Sequence, residues 1–398
     1  MSPGAIDLSD VDLGDVDRFV QGVPHEWFAR LREEAPLWWH DGCWVVTSHE
    51  LFQAVTREWG TFSSAGGTTP PGDPGQAPMG QILLAMDPPE HTRYRRLVSK
   101  AFTPRAVARM EPLVREIAHD RVGAFVAAGG GDFVVDVAVP VPLRVISALM
   151  GVPRSAEPDV FAWSNAIIPS DDPEYRVSAD AARAARASLV AYGASLIESR
   201  RAAPGEDLVS WLIGSEVDGE RLTDEDLQKF FVLFIVGGSE TTRHLLSHGV
   251  LALLEFPEQR RRVVEGTVPM SSTVEEMLRW STPVMHHARH ATRTVEVAGH
   301  RIEAGQRVVL WLVSANRDGH AFDRPDEFDV GRSPNPHAAL GSGGPHFCLG
   351  AHLARLEAAV TFDELRPVLD RLRLDGPVAR LRSNFFNSIK HLPLAVGP

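Results

Sequence analysis

The chain has 398 residues, of which 44% are hydrophobic and 23% are charged, the balance of a globular protein with a large core. Its formal net charge of -12 disfavours nucleic acid as a partner. Two cysteines, Cys43 and Cys348, are too few for a disulfide framework, so we expect a reducing, cytoplasmic setting. The longest apolar run, residues 230–236, is too short to cross a bilayer, and we predict no membrane anchor. Nothing in the sequence resembles a linker, so residues 1–398 are expected to form a single domain.

Helical patterns dominate the chain, and strand patterns are the minority. Helices are predicted over residues 91–102, 105–128, 181–201, 224–255, 272–280 and 351–366. The clearest strands are residues 44–47 and 307–312, where β-branched and aromatic side chains cluster. Residues 66–81, rich in Gly and Pro, are predicted to form a loop. The fold is therefore predicted to be mainly α with a small β-rich side, an α+β arrangement.

The first long predicted helix carries basic side chains on two faces. His91 and Arg95 are four residues apart and therefore share one face. Arg93, Arg96 and Lys100 are spaced by three and four residues and fall on the opposite face. Taken singly, each of these side chains is most often an ordinary surface residue, so a role in binding has to be argued from the rest of the chain.

The longest predicted helix contains two adjacent glycines, Gly237 and Gly238, followed by Glu240 and Thr241. A glycine inside a helix costs about 1 kcal/mol relative to alanine, so a flat group packed against the backbone would explain the pair. Thr241 lies four residues after Gly237, and its hydroxyl can donate to that carbonyl and open a groove in the helix. The alternative interpretation is a helix kinked for packing, with Glu240 exposed to solvent.

Two further groups of side chains lie between this helix and the carboxyl end of the chain. Glu276 and Arg279 are three residues apart and share a helical face, a spacing that usually marks a surface ion pair. His286, His287 and His290 match the spacing of no common zinc site, so we predict no metal ion there.

The most informative segment is residues 339–350, where four glycines surround Cys348 directly before a helical pattern. Backbone amides at a helix N-terminus stabilise a thiolate and lower the pKa of a cysteine. A cysteine thiolate is also one of the axial ligands that haem iron accepts. A buried cysteine beside a helix-entry turn is the alternative interpretation. The sequence has no Cys-x-x-Cys-His and no nucleotide-binding glycine loop, so haem would be bound non-covalently and electrons would come from other proteins.

This segment resembles the ligand loop of the cytochrome P-450 family, Phe-Gly-x-Gly-x-His-x-Cys-x-Gly. Gly344, His346, Cys348 and Gly350 fall in register with that loop. Leu340 stands where an aromatic residue is usual, with one extra residue before the cysteine. The resemblance implies the family's triangular, mainly helical prism, with haem b between the longest helix and the Cys348 loop and with Cys348 as the iron ligand.

The resemblance also implies roles for other residues. Glu240 and Thr241 would deliver the protons that dioxygen activation consumes. Arg332 would join Glu276 and Arg279 in a triad that supports the ligand loop. The remaining residues implied to contact the haem are His91, Arg95, Gly238, Arg289, Gly344, His346 and Gly350.

The resemblance, which extends from Trp38 to the end, implies a haem-thiolate monooxygenase that inserts one atom of O2 into a largely apolar small molecule. Electrons would come from an acidic ferredoxin and its reductase, and we expect the ferredoxin to dock on Arg93, Arg96 and Lys100. We expect the protein to be a monomer. The residues predicted to line the substrate pocket are Phe234, Val284, Met285 and His286.

The class of substrate and two other classes of function remain open at this point. Residues 380–390 resemble actinobacterial members that hydroxylate sterol side chains or branched fatty chains, and tailoring of a polyketide or another secondary metabolite is the alternative. The loop over residues 66–81 is expected to admit a bulky ligand. The two other classes are a haem-thiolate enzyme that uses peroxide or catalyses a rearrangement, and a non-haem binding protein with a buried cysteine.

Overall fold

The computed structural model describes residues 7–68, 83–167, 172–217 and 219–398. Its α-helices are α1 (Val16–Val20), α2 (His25–Glu34), α3 (His49–Arg57), α4 (Glu90–Ser99), α5 (Pro104–Ala108), α6 (Glu111–Ala127), α7 (Pro140–Met150), α8 (Glu157–Ile167), α9 (Ala179–Ala202), α10 (Leu208–Gly214), α11 (Asp224–Glu255), α12 (Pro257–Val264), α13 (Met270–Ser281), α14 (Leu312–Ala315) and α15 (Ala351–Leu365). Its strands are β1 (Leu37–His40), β2 (Cys43–Val46), β3 (Phe62–Ser63), β4 (Gly130–Asp132), β5 (Glu216–Val217), β6 (Glu220–Arg221), β7 (His286–Ala291), β8 (Val295–Val297), β9 (His300–Ile302), β10 (Arg307–Trp311), β11 (Leu372–Leu374), β12 (Ala379–Arg380), β13 (Ile389–His391) and β14 (Pro393–Val396). The fold is mainly α with a small β component, as the sequence predicted.

The longest helix, α11, has the bounds that the sequence predicted. It begins with a capping box, in which the Thr223 hydroxyl accepts from the N–H of Asp226 and the Asp226 carboxylate accepts from the N–H of Thr223. Most of its side chains are buried, and it packs against α7, α9, α13 and α15. A Cβ at Gly249 would lie 2.6 Å from the ring of Phe362, so this glycine allows α15 to approach closely. The helix therefore forms the centre of the helical core.

The helix predicted over residues 105–128 is two helices, α5 and α6, and the prediction of one continuous helix was wrong. α5 ends at Ala108 and α6 begins at Glu111, with Pro112 in its first turn. Proline has no N–H to donate to a preceding turn, and its ring clashes with the backbone of such a turn. The first turn of a new helix accepts proline without that cost, so the break falls directly before Pro112.

A five-stranded sheet lies beside the helices, in the order β1-β2-β10-β7-β3. β2 and β10 are parallel, and the other neighbours are antiparallel. Val309 at the centre of β10 pairs with Val45 on one side and with Ala288 on the other. A cluster of buried side chains that includes Phe28 and Trp311 packs against this sheet.

The carboxyl end returns across the start of β7. β14 lies between β11 and β4 in a three-stranded sheet, and β12 pairs with β13. Between β12 and β13, the carbonyl oxygen of Phe385 accepts from the N–H of Met285 at 2.8 Å. No α-helix in the described ranges combines the length and the apolar character needed to span a bilayer.

Glu276, Arg279 and Arg332 form a buried ion-pair network at the end of α13. Nε and Nη2 of Arg279, a fully buried residue, each donate to the Glu276 carboxylate at 2.8 Å. Nε of Arg332 reaches the same carboxylate at 3.1 Å. Arg279 also donates to the carbonyl oxygens of Asn316 and Pro325 at 2.8 Å. The structure thus brings together the three residues that the resemblance placed in a triad.

Asn316 continues this network to the start of the Cys348 loop. Its Nδ2 donates to the Thr282 hydroxyl at 2.8 Å, and its Oδ1 accepts from the N–H of Ala338 at 2.6 Å. Residues 339–350 follow directly, so the network fixes the backbone where the Cys348 loop begins.

Candidate active site

One large cavity, of about 1040 Å³, lies between α11, the loop over residues 339–350 and β7. Pockets for a single small ligand usually measure about 300–1000 Å³, so this cavity has room for a cofactor together with a substrate. Most residues of the predicted site line it: His91, Arg95, Phe234, Gly238, Glu240, Thr241, Val284, His286, Arg289, His346, Cys348 and Gly350. Gly344 and Met285 are absent from its lining. Most of the loop predicted over residues 66–81 lies outside the described residues.

The loop before α15 turns back on itself and places Cys348 in the cavity wall. The N–H of Cys348 donates to the carbonyl oxygen of Leu340 at 2.8 Å. Gly341 and Gly343 have φ angles of 77° and 72°, in the left-handed region that favours glycine. The tight turn between Leu340 and Cys348 therefore explains two of the four glycines.

Gly344 allows the loop to pack on α3. A Cβ at this position would lie 2.5 Å from the carbonyl oxygen of Thr56, near the end of α3. The assignment of Gly344 to the cofactor site stays a prediction. Gly350 does line the cavity, and no atom lies within 4 Å of the position its Cβ would take.

Burial raises the pKa of the Cys348 thiol. The N–H of Gly350 and the charges of Arg95 and Arg355 act in the opposite direction, and burial outweighs them. The helix entry predicts a lowered pKa for this thiol, and in the protein alone the shift has the opposite sign. The surroundings of the sulfur still contain the donors and cations that stabilise a metal-bound thiolate.

The Thr241 hydroxyl donates to the carbonyl oxygen of Gly237 at 3.2 Å, the bond that the spacing suggested. Of the two adjacent glycines, Gly237 is the one that leaves space, because no atom lies within 4 Å of the position its Cβ would take. A Cβ at Gly238 would lie 2.8 Å from Ile146 of α7. Gly238 therefore serves helix packing, and the open space beside Thr241 results from Gly237.

Glu240 is buried and forms an ion pair with Arg243, one turn further along α11. Burial raises the pKa of Glu240, and Arg243 opposes the shift. A carboxyl group with a raised pKa holds its proton at a higher pH than an exposed one does. The side chain is only 3% exposed, which excludes the alternative of a solvated Glu240.

Two arginines, Arg95 and Arg289, and two histidines, His91 and His346, form a cluster of hydrogen-bond donors at one edge of the cavity. The ring centroids of His91 and His346 are 4.4 Å apart. Nδ1 and Nε2 of His91 and Nε2 of His346 have no hydrogen-bond partner among the described residues. Within the described ranges the two arginines donate only to backbone carbonyls, Arg95 to Phe347 at 2.6 Å and Arg289 to its neighbour Ala288 at 2.7 Å.

This cluster of two arginines and two histidines fits a haem. Burial lowers the pKa of Arg289 to about 10 and that of His91 to about 4, because positive charge is poorly solvated there. Two carboxylates, such as the propionates of a haem, would supply the missing stabilisation through charge-assisted hydrogen bonds. The open positions at Gly237 and Gly350 leave room for a flat ring between α11 and the Cys348 loop.

Glu357, in α15, is a cavity residue that the sequence analysis missed. It is 1% exposed, and neither carboxylate oxygen has a hydrogen-bond partner in the part of the chain that the structure describes. Burial raises the pKa of Glu357 well above its usual range, and the nearby Thr242 hydroxyl opposes the shift. The sequence contained a signal, since Glu357 is the only charged residue between Leu356 and Phe362 in an otherwise apolar helical run.

Phe234, Val284 and His286 line the cavity, but Met285 does not. The backbone of Met285 pairs with Phe385, and its side chain is 1% exposed within the core beside the sheet. Its neighbours along the chain face the cavity while Met285 faces the core, and its place in the substrate pocket stays a prediction.

His286 is a polar group in a mostly apolar part of the cavity wall. Its ring centroid lies 4.5 Å from that of Trp311 and 5.2 Å from that of Phe385. Burial lowers the pKa of His286 to about 3, so the imidazole is neutral. Neither of its nitrogens has a hydrogen-bond partner within the described ranges.

The basic face of α4 is smaller than the sequence suggested. Arg96 and Lys100 are exposed. Arg93 instead forms an ion pair with Glu220 of β6, and its guanidinium lies 4.8 Å from the ring centroid of Tyr94. Two of the three residues predicted to dock a ferredoxin therefore present their charge to solvent.

Comparison with known proteins connects this arrangement to one family. Residues 270–365 match the family model described as cytochrome P-450. The methyl-branched lipid omega-hydroxylase of Mycobacterium tuberculosis is 39% identical over 98% of this chain and 96% of its own length. The steroid C26-monooxygenase of Rhodococcus jostii is 37% identical over 95% of this chain and 83% of its own length.

The solved structures that are similar to this chain include cytochromes P-450 as well. A Mycobacterium marinum cytochrome P-450 in complex with pseudoionone has a TM-score of 0.89 and 37% identity, covering 99% of this chain and 100% of its own. The cytochrome P-450 of the Bacillus subtilis bacillaene polyketide synthase has a TM-score of 0.87 and 29% identity, covering 96% of this chain and 98% of its own.

Proposed function

The chain belongs to the cytochrome P-450 family, and from that premise we propose that it hydroxylates a sterol side chain or a branched fatty chain held beside α11. It is a haem-thiolate monooxygenase that uses O2 as co-substrate and oxidises apolar molecules. The observation that carries the proposal is the large, mainly apolar cavity with Cys348 and Thr241 both in its wall.

We assign haem b to the space between α11 and the Cys348 loop, where the Cys348 thiolate would hold the iron. When bound, the haem would supply the redox chemistry that activates O2 and transfers one oxygen atom. Arg95 and Arg289 would pair with the two propionates, and His91 and His346 would donate hydrogen bonds to them.

Glu240 and Thr241 hold and move protons in this proposal. The Glu240 carboxyl group lies inside α11, and burial raises its pKa, which favours the uptake of a proton there. Oγ1 of Thr241 is oriented by its hydrogen bond to Gly237 and relays a proton into the cavity. Arg243 pairs with the ionised Glu240 carboxylate, so the carboxylate has to leave this ion pair before it takes up a proton and passes it to Thr241.

Replacing Thr241 by Ala is expected to uncouple electron consumption from product formation while leaving folding and haem content near those of the native protein. A positioned proton donor typically contributes about 10²–10⁴-fold, so product per electron should fall at least about tenfold. The measurement is product formed per reduced nicotinamide consumed. Thr241→Ser keeps the hydroxyl and should keep most of the coupling.

Ser247→Ala is the matched control for this experiment. Ser247 donates to the carbonyl oxygen four residues earlier in the same helix, as Thr241 does, but it is absent from the cavity lining. Coupling that stays unchanged in Thr241→Ala, or falls equally in Ser247→Ala, would remove Thr241 from the proton pathway.

The proposed substrate class rests on the names of the similar proteins and on the shape of the cavity. The lipid hydroxylase and the steroid monooxygenase are more similar to this chain, at 39% and 37% identity, than the polyketide-synthase enzyme at 29%. Phe234 and Val284 give the cavity apolar walls that exclude water from a hydrocarbon chain.

A titration of the iron spin state tests this substrate class. Sterols and methyl-branched lipids should displace iron-bound water and shift the spectrum, whereas small polar amino acids should not. Spectral shifts with macrolides alone would favour the polyketide alternative. A response only to a small polar amino acid would refute the large apolar pocket. Turnover with peroxide but not with reduced ferredoxin would favour the peroxide-using class.

We also propose that a single domain, acting as a monomer, receives electrons from an acidic ferredoxin at the exposed face of α4. Arg96 and Lys100 keep their charge free of intramolecular ion pairs within the described part of the chain, although the protein as a whole is acidic. Association follows the local potential of the docking patch more than the net charge.

Reversing both charges, Arg96→Glu with Lys100→Glu, should slow the first electron transfer about tenfold at low salt and flatten its dependence on salt. The control reverses two exposed arginines elsewhere, Arg301→Glu in β9 with Arg373→Glu in β11, and changes the net charge equally. Equal rates for the two double variants in stopped-flow reduction would show that α4 is an ordinary solvated face.

A further inference from the structure

The outer part of the cavity wall is rich in arginine. The exposed residues Val177 and Ala179 mark where the cavity meets solvent. Four arginines line this part of the wall: Arg176, Arg183, Arg186 and Arg382. Asp41 is the one exposed carboxylate that the described residues contribute to the lining. The net charge of the chain is -12, so a cationic opening is not a consequence of its composition.

One face of α9 forms this arginine-rich wall. Ala179, Ala182, Arg183 and Arg186 all line the cavity, and their spacing of three and four residues places them on a single helical face. The side chains of the two alanines are small, so the arginine side chains have room to extend across that face. Ala179 is also the first residue of the 24-residue helix, where the backbone amides concentrate positive potential.

The arginines differ in whether the protein neutralises them. Arg183 forms an ion pair with Asp180, and Arg382 forms one with Asp17. Arg186 has no carboxylate partner among the described residues, and its Nη1 is buried without a hydrogen bond.

A buried guanidinium nitrogen without a partner is costly, because it has lost water and gained nothing in return. Burial accordingly lowers the pKa of Arg186, and no neighbouring carboxylate opposes the shift. Arg176, on the loop before α9, likewise forms no ion pair in the part of the chain described here. The positive charges of Arg176 and Arg186 therefore have no carboxylate partner among the described residues at the place where a ligand would enter.

We propose that Arg186, assisted by Arg176 and the amino end of α9, binds a carboxylate group at one end of the substrate. The inference rests on the proposed function, and it narrows the substrate to an apolar molecule that carries an acidic end group. A carboxylate held at the opening directs the opposite, hydrocarbon end toward Cys348. Oxidation is then confined to carbons remote from the acid.

The test compares a methyl-branched hexadecanoic acid with its methyl ester, which has the same hydrocarbon chain but no charge. In the spin-state titration the native protein should bind the acid about five to ten times more tightly than the ester. Arg186→Gln should remove this preference by weakening binding of the acid alone. A rising salt concentration should weaken binding of the acid and leave binding of the ester unchanged, because salt screens exposed charge.

Two further variants separate charge from structure. Arg186→Lys keeps the positive charge and should retain most of the preference for the acid. Arg201→Gln removes the same charge near the other end of α9, from a residue that pairs with Asp224 outside the cavity, and should bind both ligands like the native protein.

The outcomes distinguish this inference from the proposed function. The carboxylate site would be overturned if the native protein bound acid and ester with equal affinity. It would also be overturned if Arg186→Gln lost the same affinity for both ligands. Either result would leave the apolar pocket in place. If neither ligand shifts the spectrum, the lipid-like substrate class fails and the carboxylate site fails with it.

Discussion

The Cys348→Ser variant should lose the red-shifted carbon monoxide band of the reduced protein completely. That band requires a thiolate ligand, and a serine hydroxyl does not reproduce the electron donation of sulfur. Cys348 lies in the cavity wall next to the space that Gly350 leaves open. Monooxygenase activity should disappear together with the band, because the same ligand supports the oxygen chemistry.

Cys43→Ser is the matched control, since Cys43 is the other of the two cysteines in the chain and also borders the cavity. Its thiol donates to the carbonyl oxygen of His40 at 3.2 Å, and burial raises the pKa of that thiol to about 11. This variant should keep the band at full intensity. A band that survives in Cys348→Ser and vanishes in Cys43→Ser would assign the ligand to β2.

Replacing Arg279 by Met should destabilise the protein by about 3–5 kcal/mol, because removing one partner of a buried ion pair leaves the other charge uncompensated. Arg279 is fully buried and bonds both carboxylate oxygens of Glu276. It also donates to the carbonyl oxygens of Asn316, Pro325 and Glu327, and the variant would lose all three of these bonds. Methionine fills a similar volume without replacing any of these bonds.

The free energy of unfolding in urea measures this effect, with haem content as a second readout. Arg301→Met is the control, because its ion pair with Glu303 is exposed, with 73% and 50% of the two side chains accessible. That pair should contribute less than about 1 kcal/mol. Comparable losses in the two variants would show that the buried network is no more important than a surface pair. Haem content should fall in Arg279→Met, since the network holds Asn316 and, through it, the start of the Cys348 loop.

Local patterns in the sequence were sufficient for the bounds of α11 and for the order of the motifs, although they merged α5 and α6 into one helix. The bounds of α11 follow from a capping box at Thr223 and a long run of helix-compatible residues, both of which act within a few residues along the chain. The bond from Thr241 to Gly237 and the pairing of Glu276 with Arg279 have the same origin, because helical spacing alone places residues three or four apart on one face. Cys348 was identifiable because its glycines and the following helix are contiguous.

Contacts between distant segments decided what spacing left open. Gly344 and Gly238 had the same sequence signature as a cofactor-facing glycine, yet Thr56 and Ile146 occupy the space beside them. Which of two neighbours faces a cavity depends on what packs behind them, and Met285 faces the core for that reason.

Charge balance also required the folded chain. Arg93 is neutralised by Glu220, 127 residues away in sequence, whereas Nη1 of Arg186 and the carboxylate of Glu357 are buried without a charged partner among the described residues. Ion pairing and desolvation depend on distances between atoms in space, and a sequence states only their separation along the chain. The sequence by itself therefore determined the bounds of α11, the family and the class of chemistry, and it predicted Cys348 as the ligand. Only the tertiary structure decided which charged and polar groups remain available to a cofactor, a proton or a substrate.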